Sequence, residues 1–220
     1  MSWLGIRPRN QDMTLIDITP VISDRTHVYP GDTRPSREVL WQLEDGAPVT
    51  LSTLRTSVHM GAHADAPSHY GKGGRSMEQQ PLDLYVGPCA VIKANGPRGG
   101  SVGIEHLVGA LPETERLLID TGSFDGVEAW NNDFCGLQPE LIDLLGSRGV
   151  RLVGLDTPSV DTQESKDLPT HARFFAHDMA ILEGLVLKEV PAGHYELIAL
   201  PLPLEGFDGS PVRAILRPFD

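Results

Sequence analysis

The segment Pro139-Glu-Leu-Ile-Asp-Leu-Leu-Gly-Ser-Arg-Gly149-Val-Arg-Leu-Val-Gly-Leu155-Asp-Thr-Pro-Ser159 decides the fold class. Proline suits a first helical position, where its fixed φ is already helical and its missing N–H has no partner to lose. Leu141, Ile142, Leu144 and Leu145 then form a helical stripe, and Gly146 or Gly149 ends it. Residues 150–155 follow as a short apolar strand that runs into Asp156-Thr-Pro-Ser159. A helix feeding a buried strand predicts an α/β unit.

Further strands are predicted on both sides of this unit. Upstream they cover residues 14–19 (stopped by Pro20), 49–58, 85–93 (interrupted by Gly87-Pro88) and 116–120; downstream they cover 195–200 and 212–216, around the turn Gly206-Phe-Asp-Gly209. Tyr29-Pro-Gly-Asp32 has the residues of a β-turn, and residues 103–111 read as a short helix. With 23 glycines and 18 prolines spread along the chain, turns are frequent and elements short. The reading is a mixed, strand-rich α/β fold in a single domain over residues 14–220, preceded by an extension at 1–13. Local pattern leaves the strand order open.

A chain of 220 residues is long enough to bury a core without covalent staples. Its 18 basic and 30 acidic residues give a net charge of −12, which repels phosphate backbones and anionic membranes. No apolar run approaches the roughly 20 residues of a membrane span, and the first residues lack the apolar core of a secretory signal. Cys89 and Cys135 fit no metal-binding pair spacing and read as buried free thiols. The expected location is the cytoplasm.

The chemistry is concentrated in His59-Met-Gly-Ala-His63-Ala-Asp65-Ala-Pro67-Ser-His69. Gly61 and Pro67 argue against a helix there. In an extended chain, side chains two apart share a face, so positions 59, 63, 65 and 69 all point the same way. Imidazole and carboxylate donors without thiolate suit Zn, Mn or Fe, and a carboxylate between histidines can bridge two metals. His171 stands beside the pair Phe174-Phe175. Glu183 interrupts the apolar run 179–187, which on its own reads as a helix with Glu183 on the exposed face. His27, His106 and His194 lie in turn-like or polar stretches and read as surface residues. No phosphate-binding glycine loop, serine elbow or Cys-His nucleophile pattern is present.

The run from His59 to His69 resembles the HxGTHxDxPxH signature of the cyclase-like metal hydrolases, with Ala62 in place of the usual threonine and Met60 before the glycine. Neither position supplies a ligand. Within that group the chain is most similar to the bacterial kynurenine formamidases. The similarity rests on Val28-Tyr-Pro-Gly-Asp32, Pro81-Leu-Asp-Leu-Tyr-Val-Gly-Pro-Cys89 and Leu155-Asp-Thr-Pro-Ser-Val-Asp161, then on Ser165-Lys-Asp-Leu168, Ile181-Leu-Glu-Gly184 and Ser210-Pro-Val-Arg-Ala214. The resemblance implies a swivelling β/β/α fold, homodimers or larger assemblies, and two zinc ions per subunit, with manganese or cobalt as substitutes. It implies that His59 and His63 bind one metal, that Asp65 and Glu183 bridge the two, and that His171 binds the second. It further implies that His69 donates and accepts the proton and that Tyr29 contacts the substrate.

The implied reaction is hydrolysis of N-formyl-L-kynurenine to L-kynurenine and formate, a step of tryptophan degradation. Water is a poor nucleophile toward an amide at neutral pH, and metal ions correct this by acidifying water and polarising the carbonyl. His69 would remove a proton from water and return one to the departing aromatic amine. Two other readings remain. One is a related amide hydrolase that opens a cyclic amide such as isatin; the other is a metal-binding protein without catalysis.

Overall fold

The computed structural model describes residues 15–219. The extension at 1–13 and the boundary at 14 lie outside the described residues. Strands β1 (Ile16–Asp17), β2 (Ser36–Trp41), β3 (Leu51–Arg55) and β4 (His63–Asp65) are followed by the one-turn helix α1 (Pro67–Tyr70). Next come β5 (Val86–Lys93), β6 (Ser101–Val102), β7 (Arg116–Asp120), β8 (Gly136–Leu137) and helix α2 (Pro139–Ser147). Strand β9 (Leu152–Leu155), helix α3 (Pro169–His177), β10 (Ala180–Glu183), β11 (Gly193–Ile198), β12 (Gly209–Pro211) and β13 (Ile215–Pro218) complete the chain.

Nine strands form one curled sheet in the order β1-β13-β11-β5-β7-β9-β10-β4-β12. The central strands β5, β7, β9 and β10 run parallel, and the flanking pairs are antiparallel. The α/β unit expected from 139–159 is at its heart. Pro139 opens α2, Leu141, Ile142 and Leu145 are buried, and Gly149 leaves the helix at φ 82°. Alternate residues of the parallel strands face opposite ways. Leu117 and Ile119 pack under α2 and α3 with Leu141, Leu145 and Phe174. Leu118 packs on the other face with Leu182, Leu197, Leu216 and Ala64. Both cysteines are buried and free.

Four local expectations differ from the structure, and the first is the strand expected at 212–216, which falls across the gap between β12 and β13. Residues 103–111 hold only a single 3-10 turn at Ile104–His106, because the His106 ring accepts the Gly103 N–H at 2.9 Å and a bridge from Leu107 to Ala94 pulls the chain out of register. Strand β5 runs through Gly87-Pro88 without a break. Pro88 pairs with Glu196 of β11, while β7 joins β5 only from Ala90 onward, so the edge that lacks an N–H has no ladder to satisfy. The run 179–187 holds strand β10 at Ala180–Glu183 and no helix, and Glu183 is 3% exposed at the C-terminal end of that strand. A strand buried on both faces, as in a parallel sheet, is apolar throughout and resembles a buried helix segment in sequence.

The hairpin β2–β3 forms its own two-stranded sheet, and every residue in both strands is exposed. No helix among the described residues is long and apolar enough to cross a membrane.

Candidate metal centre

The C-terminal ends of parallel strands, where α/β sheets characteristically bind ligands, here carry Glu183 on β10 and the loop that follows β9. The antiparallel register of β4 on β10 sets His63 directly opposite Glu183. Cross-strand neighbours of this kind lie side by side on one face. His63 and Asp65 are two apart on β4 and share that face, while Ala64 points into the core at 0% exposure. On the other edge β12 pairs with β4 and brings Asp208 to the same end. Gly209 is required there, since a Cβ would fall 2.8 Å from His59 Cε1. Gly184, at φ 66°, lets the backbone turn away from Glu183 where a Cβ would meet the Gly61 carbonyl oxygen at 2.1 Å.

The predicted ligands converge. Asp65 Oδ1 lies 2.9 Å from His59 Nδ1 and 3.4 Å from His63 Nε2, and its Oδ2 lies 3.5 Å from His171 Nε2. Glu183 Oε2 is 3.3 Å from His63 Nε2, and its Oε1 is 3.8 Å from His171 Nε2. The Val160 N–H donates to Glu183 Oε1 at 2.8 Å, and His63 Nδ1 donates to the Gly61 carbonyl at 3.0 Å, so His63 Nε2 is turned toward the carboxylates. Burial works against protonating His63 and His171. Their carboxylate neighbours outweigh it, Asp65 and Glu183 for His63 and chiefly Asp161 and Asp65 for His171, and lift both to about 10. Burial likewise opposes charge on Asp65, but the three imidazoles beside it, His171, His59 and His63, hold its carboxyl well below the usual range.

Within this cluster His63 Nε2 and Asp65 Oδ2 are buried and have no hydrogen-bond partner. Leaving such groups unsatisfied costs about 1–3 kcal/mol each, and a divalent cation bound between them would satisfy both. Neutral imidazole nitrogens and carboxylate oxygens are donors that such a cation accepts. The residues fit a metal.

His69 arrives by a different route from the one predicted. Pro67 takes the first position of α1, and that single turn swings His69 back over the cluster. Its ring centroid lies 4.1 Å from that of His59 and 6.1 Å from that of His171. Tyr29 sits in the expected turn, closed by a 3.0 Å hydrogen bond from the Asp32 N–H to the Tyr29 carbonyl. Its hydroxyl donates to the Gln163 carbonyl at 3.2 Å, and its ring meets Trp130 edge-on at 6.0 Å, with Phe124 beyond. These aromatic side chains wall a cavity of about 510 Å³ whose floor includes His59, His63, His69, His171 and Glu183.

Residues 16–162 match the family described as "Putative cyclase". The chain belongs to this family. Among solved structures it is similar to a "potential metal-dependent hydrolase with cyclase activity", at 29% identity over 95% of this chain and 100% of that one, with a TM-score of 0.80. It is also similar to a "predicted metal-dependent hydrolase from Bacillus stearothermophilus", at 30% identity over 94% and 98% of the two chains, with a TM-score of 0.78. Isatin hydrolase A from Labrenzia aggregata shares the fold at 24% identity, 92% coverage of each chain and a TM-score of 0.78. The swivelling, strand-rich fold and the metal-dependent hydrolase class both follow.

Two carboxylates in this cyclase-family site have no role in the sequence reading. Asp161 lies 2.7 Å from His171 Nδ1 and accepts the Thr170 and His171 N–H groups at 3.1 Å each, which fixes both the ring and the start of α3. Such outer partners orient metal-binding imidazoles. Asp208 lies 3.1 Å from His59 Nε2 and 3.5 Å from His69 Nδ1. Asp161 belongs to the quoted 155–161 stretch, whereas Asp208 is marked only by the Gly206–Gly209 turn. His27 lines the cavity and is not simply a surface residue, because the loop after β7 folds over it and the Val127 carbonyl accepts its N–H at 2.7 Å. That loop is anchored by Asp156, which accepts the Thr121 and Gly122 N–H groups. Burial pushes the Asp156 carboxyl up to about 6 against those hydrogen bonds, and Asp120 adds to the rise.

Proposed function

We propose that the protein hydrolyses aryl formamides, with N-formyl-L-kynurenine as substrate and L-kynurenine and formate as products. The observation that carries this reading is the position of His69. It is a partly exposed imidazole over a buried His/Asp/Glu cluster, on the side facing an aromatic-walled cavity. His59 and His63 would hold one divalent metal, His171 a second, and Asp65 and Glu183 would span the two. Bound there, zinc, or manganese or cobalt in its place, supplies Lewis acidity toward the formyl oxygen and acidifies water.

The chain's own residues do the rest. Tyr29 and Trp130 pack on the aryl ring and align the formamide over the cluster. His69 takes a proton from water as its oxygen adds to the formyl carbon. It returns a proton to the aromatic nitrogen as the C–N bond breaks and formate leaves. Asp208 holds the His59 ring, and Asp161 holds that of His171. The free thiols Cys89 and Cys135 suit a reducing compartment, and the proposed location is the cytoplasm.

Purified protein incubated with N-formyl-L-kynurenine is expected to release kynurenine, to stop after chelation and to recover when zinc is restored. Metal-loaded protein that opens isatin but leaves the formamide intact would replace this reading with cyclic-amide hydrolysis.

We also propose that two copies associate through the hairpin β2–β3. Trp41 is 55% exposed and Leu54 65%, beside exposed Val39, Leu40 and Leu51. A lone two-stranded ribbon is marginally stable in water, and an apolar cluster of this kind marks an interface. Light scattering should give the mass of a dimer for the wild type and of a monomer for a variant combining Leu40→Ser, Trp41→Ser and Leu54→Ser. A monomeric wild type would rule the interface out.

A further inference from the structure

The cavity over the metal centre has an uneven charge pattern. Asp32 and Asp208 line it along with the buried Glu183, and the whole chain carries −12. Lys166 is the one lysine or arginine among the residues that line it, and Arg34 stands behind them with its guanidinium 3.0 Å from His27 Nδ1. Lys166 is exposed and forms no ion pair or hydrogen bond among the described residues, although Glu164 and Asp167 are close in sequence.

The backbone beneath this lysine is held at both ends. The Tyr29 hydroxyl bonds the Gln163 carbonyl at 3.2 Å, and the Ser165 N–H bonds the Thr162 carbonyl at 3.0 Å. Leu168 adopts φ 46° and ψ 55°, a left-handed conformation that a leucine rarely takes. It turns the chain directly into α3, whose first turn is pinned by Asp161. Lys166 is therefore an exposed, unpaired ammonium on a fixed platform. The same platform accepts the hydroxyl of the aromatic wall.

We propose that Lys166 binds the carboxylate of an aryl substrate with an amino-acid end and makes the cavity select such substrates over aryl amides that lack the carboxylate. This rests on the formamidase reading and deepens it by assigning the substrate's amino-acid end. A substrate with its formamide over His69 and its ring on Tyr29 extends its remaining chain toward the 163–168 segment. Asp32 and Asp208 suit the α-ammonium of such a zwitterion, and Lys166 supplies the matching cation for its carboxylate. A lysine suits a wide, wet mouth because its ammonium is a hydrated point charge on a flexible stem.

The test compares Lys166→Met and Lys166→Arg with the wild-type metal-loaded enzyme, using the zwitterion N-formyl-L-kynurenine and 2-formamidoacetophenone, which lacks the charged amino-acid end. Lys166→Met is expected to raise KM for the zwitterion about tenfold. It should leave kcat within about twofold and 2-formamidoacetophenone unaffected, and Lys166→Arg should restore most of the loss. Equal effects on both substrates, or no effect, would overturn the assignment. Calorimetry with L-kynurenine and 2-aminoacetophenone reads binding without turnover. Should the wild type hydrolyse neither formamide, the reaction reading falls, while a carboxylate preference that disappears in Lys166→Met still upholds this one. Identical binding of the two ligands by wild type and variant would refute it.

Discussion

Asp65→Ala is expected to strip the protein of divalent metal and to lower its melting temperature even when metal is absent. Asp65 is 1% exposed and faces three imidazoles, His59, His63 and His171, at 2.9–3.5 Å. Removing one partner from a buried charged group leaves the others uncompensated, at a cost of about 3–5 kcal/mol. For a chain of this size that amounts to roughly 10 °C or more in Tm. The loss should depend on pH with a definite sign. Their carboxylate neighbours lift His63 and His171 to about 10 in the fold, above the ordinary 6.5, so this protonated pairing stabilises the metal-free protein fully below 6.5. That contribution fades as pH rises toward 10, and the gap between wild type and variant should narrow with it. Metal analysis and thermal melts of chelated protein from pH 6 to about pH 10 read both effects. Retained metal with an unchanged Tm would remove Asp65 from the centre.

His69→Ala should behave in the opposite way, with metal content intact and turnover lost. His69 is more exposed than the buried His63, Asp65, His171 and Glu183, and its ring lies tilted over that of His59 at 4.1 Å and is not enclosed with them. General acid–base catalysis by one group contributes about 10²–10⁴-fold, and kcat should fall by that order while the metal per chain stays constant. The measurement also separates an enzyme from a protein that merely binds metal, because metal storage has no use for a proton carrier on the cavity side. Unchanged turnover would move the proton chemistry to another group.

The parts of the site legible in sequence are those that depend on local geometry. His63 and Asp65 obey the two-residue period of a strand, and they do share a face. The same rule puts His69 on the correct side for the wrong reason, since α1 and not an extended chain carries it there. Pro67 breaks a helix from within, yet at a first helical position it is a helix starter. Glu183 was the hardest to read. An apolar run with one acid looks like the buried side of a helix, and only pairing with β9 and β4 makes it a strand with its acid turned into the centre. Asp208 carries no signal beyond its turn, because its role comes from the β4–β12 pairing of segments more than a hundred residues apart.

The sequence by itself determined the α2–β9 unit, the strand-rich α/β class and the donor chemistry of imidazole and carboxylate. Each is set by side-chain type and spacing within a few residues, where periodicity and proline or glycine placement act directly. The tertiary structure decided the nine-strand order, the register that faces His63 with Glu183, and the arrival of Asp161, His171 and Asp208 around residues 59–69. Those depend on which strand edges and apolar faces find each other across the whole chain, and local pattern does not specify the partner.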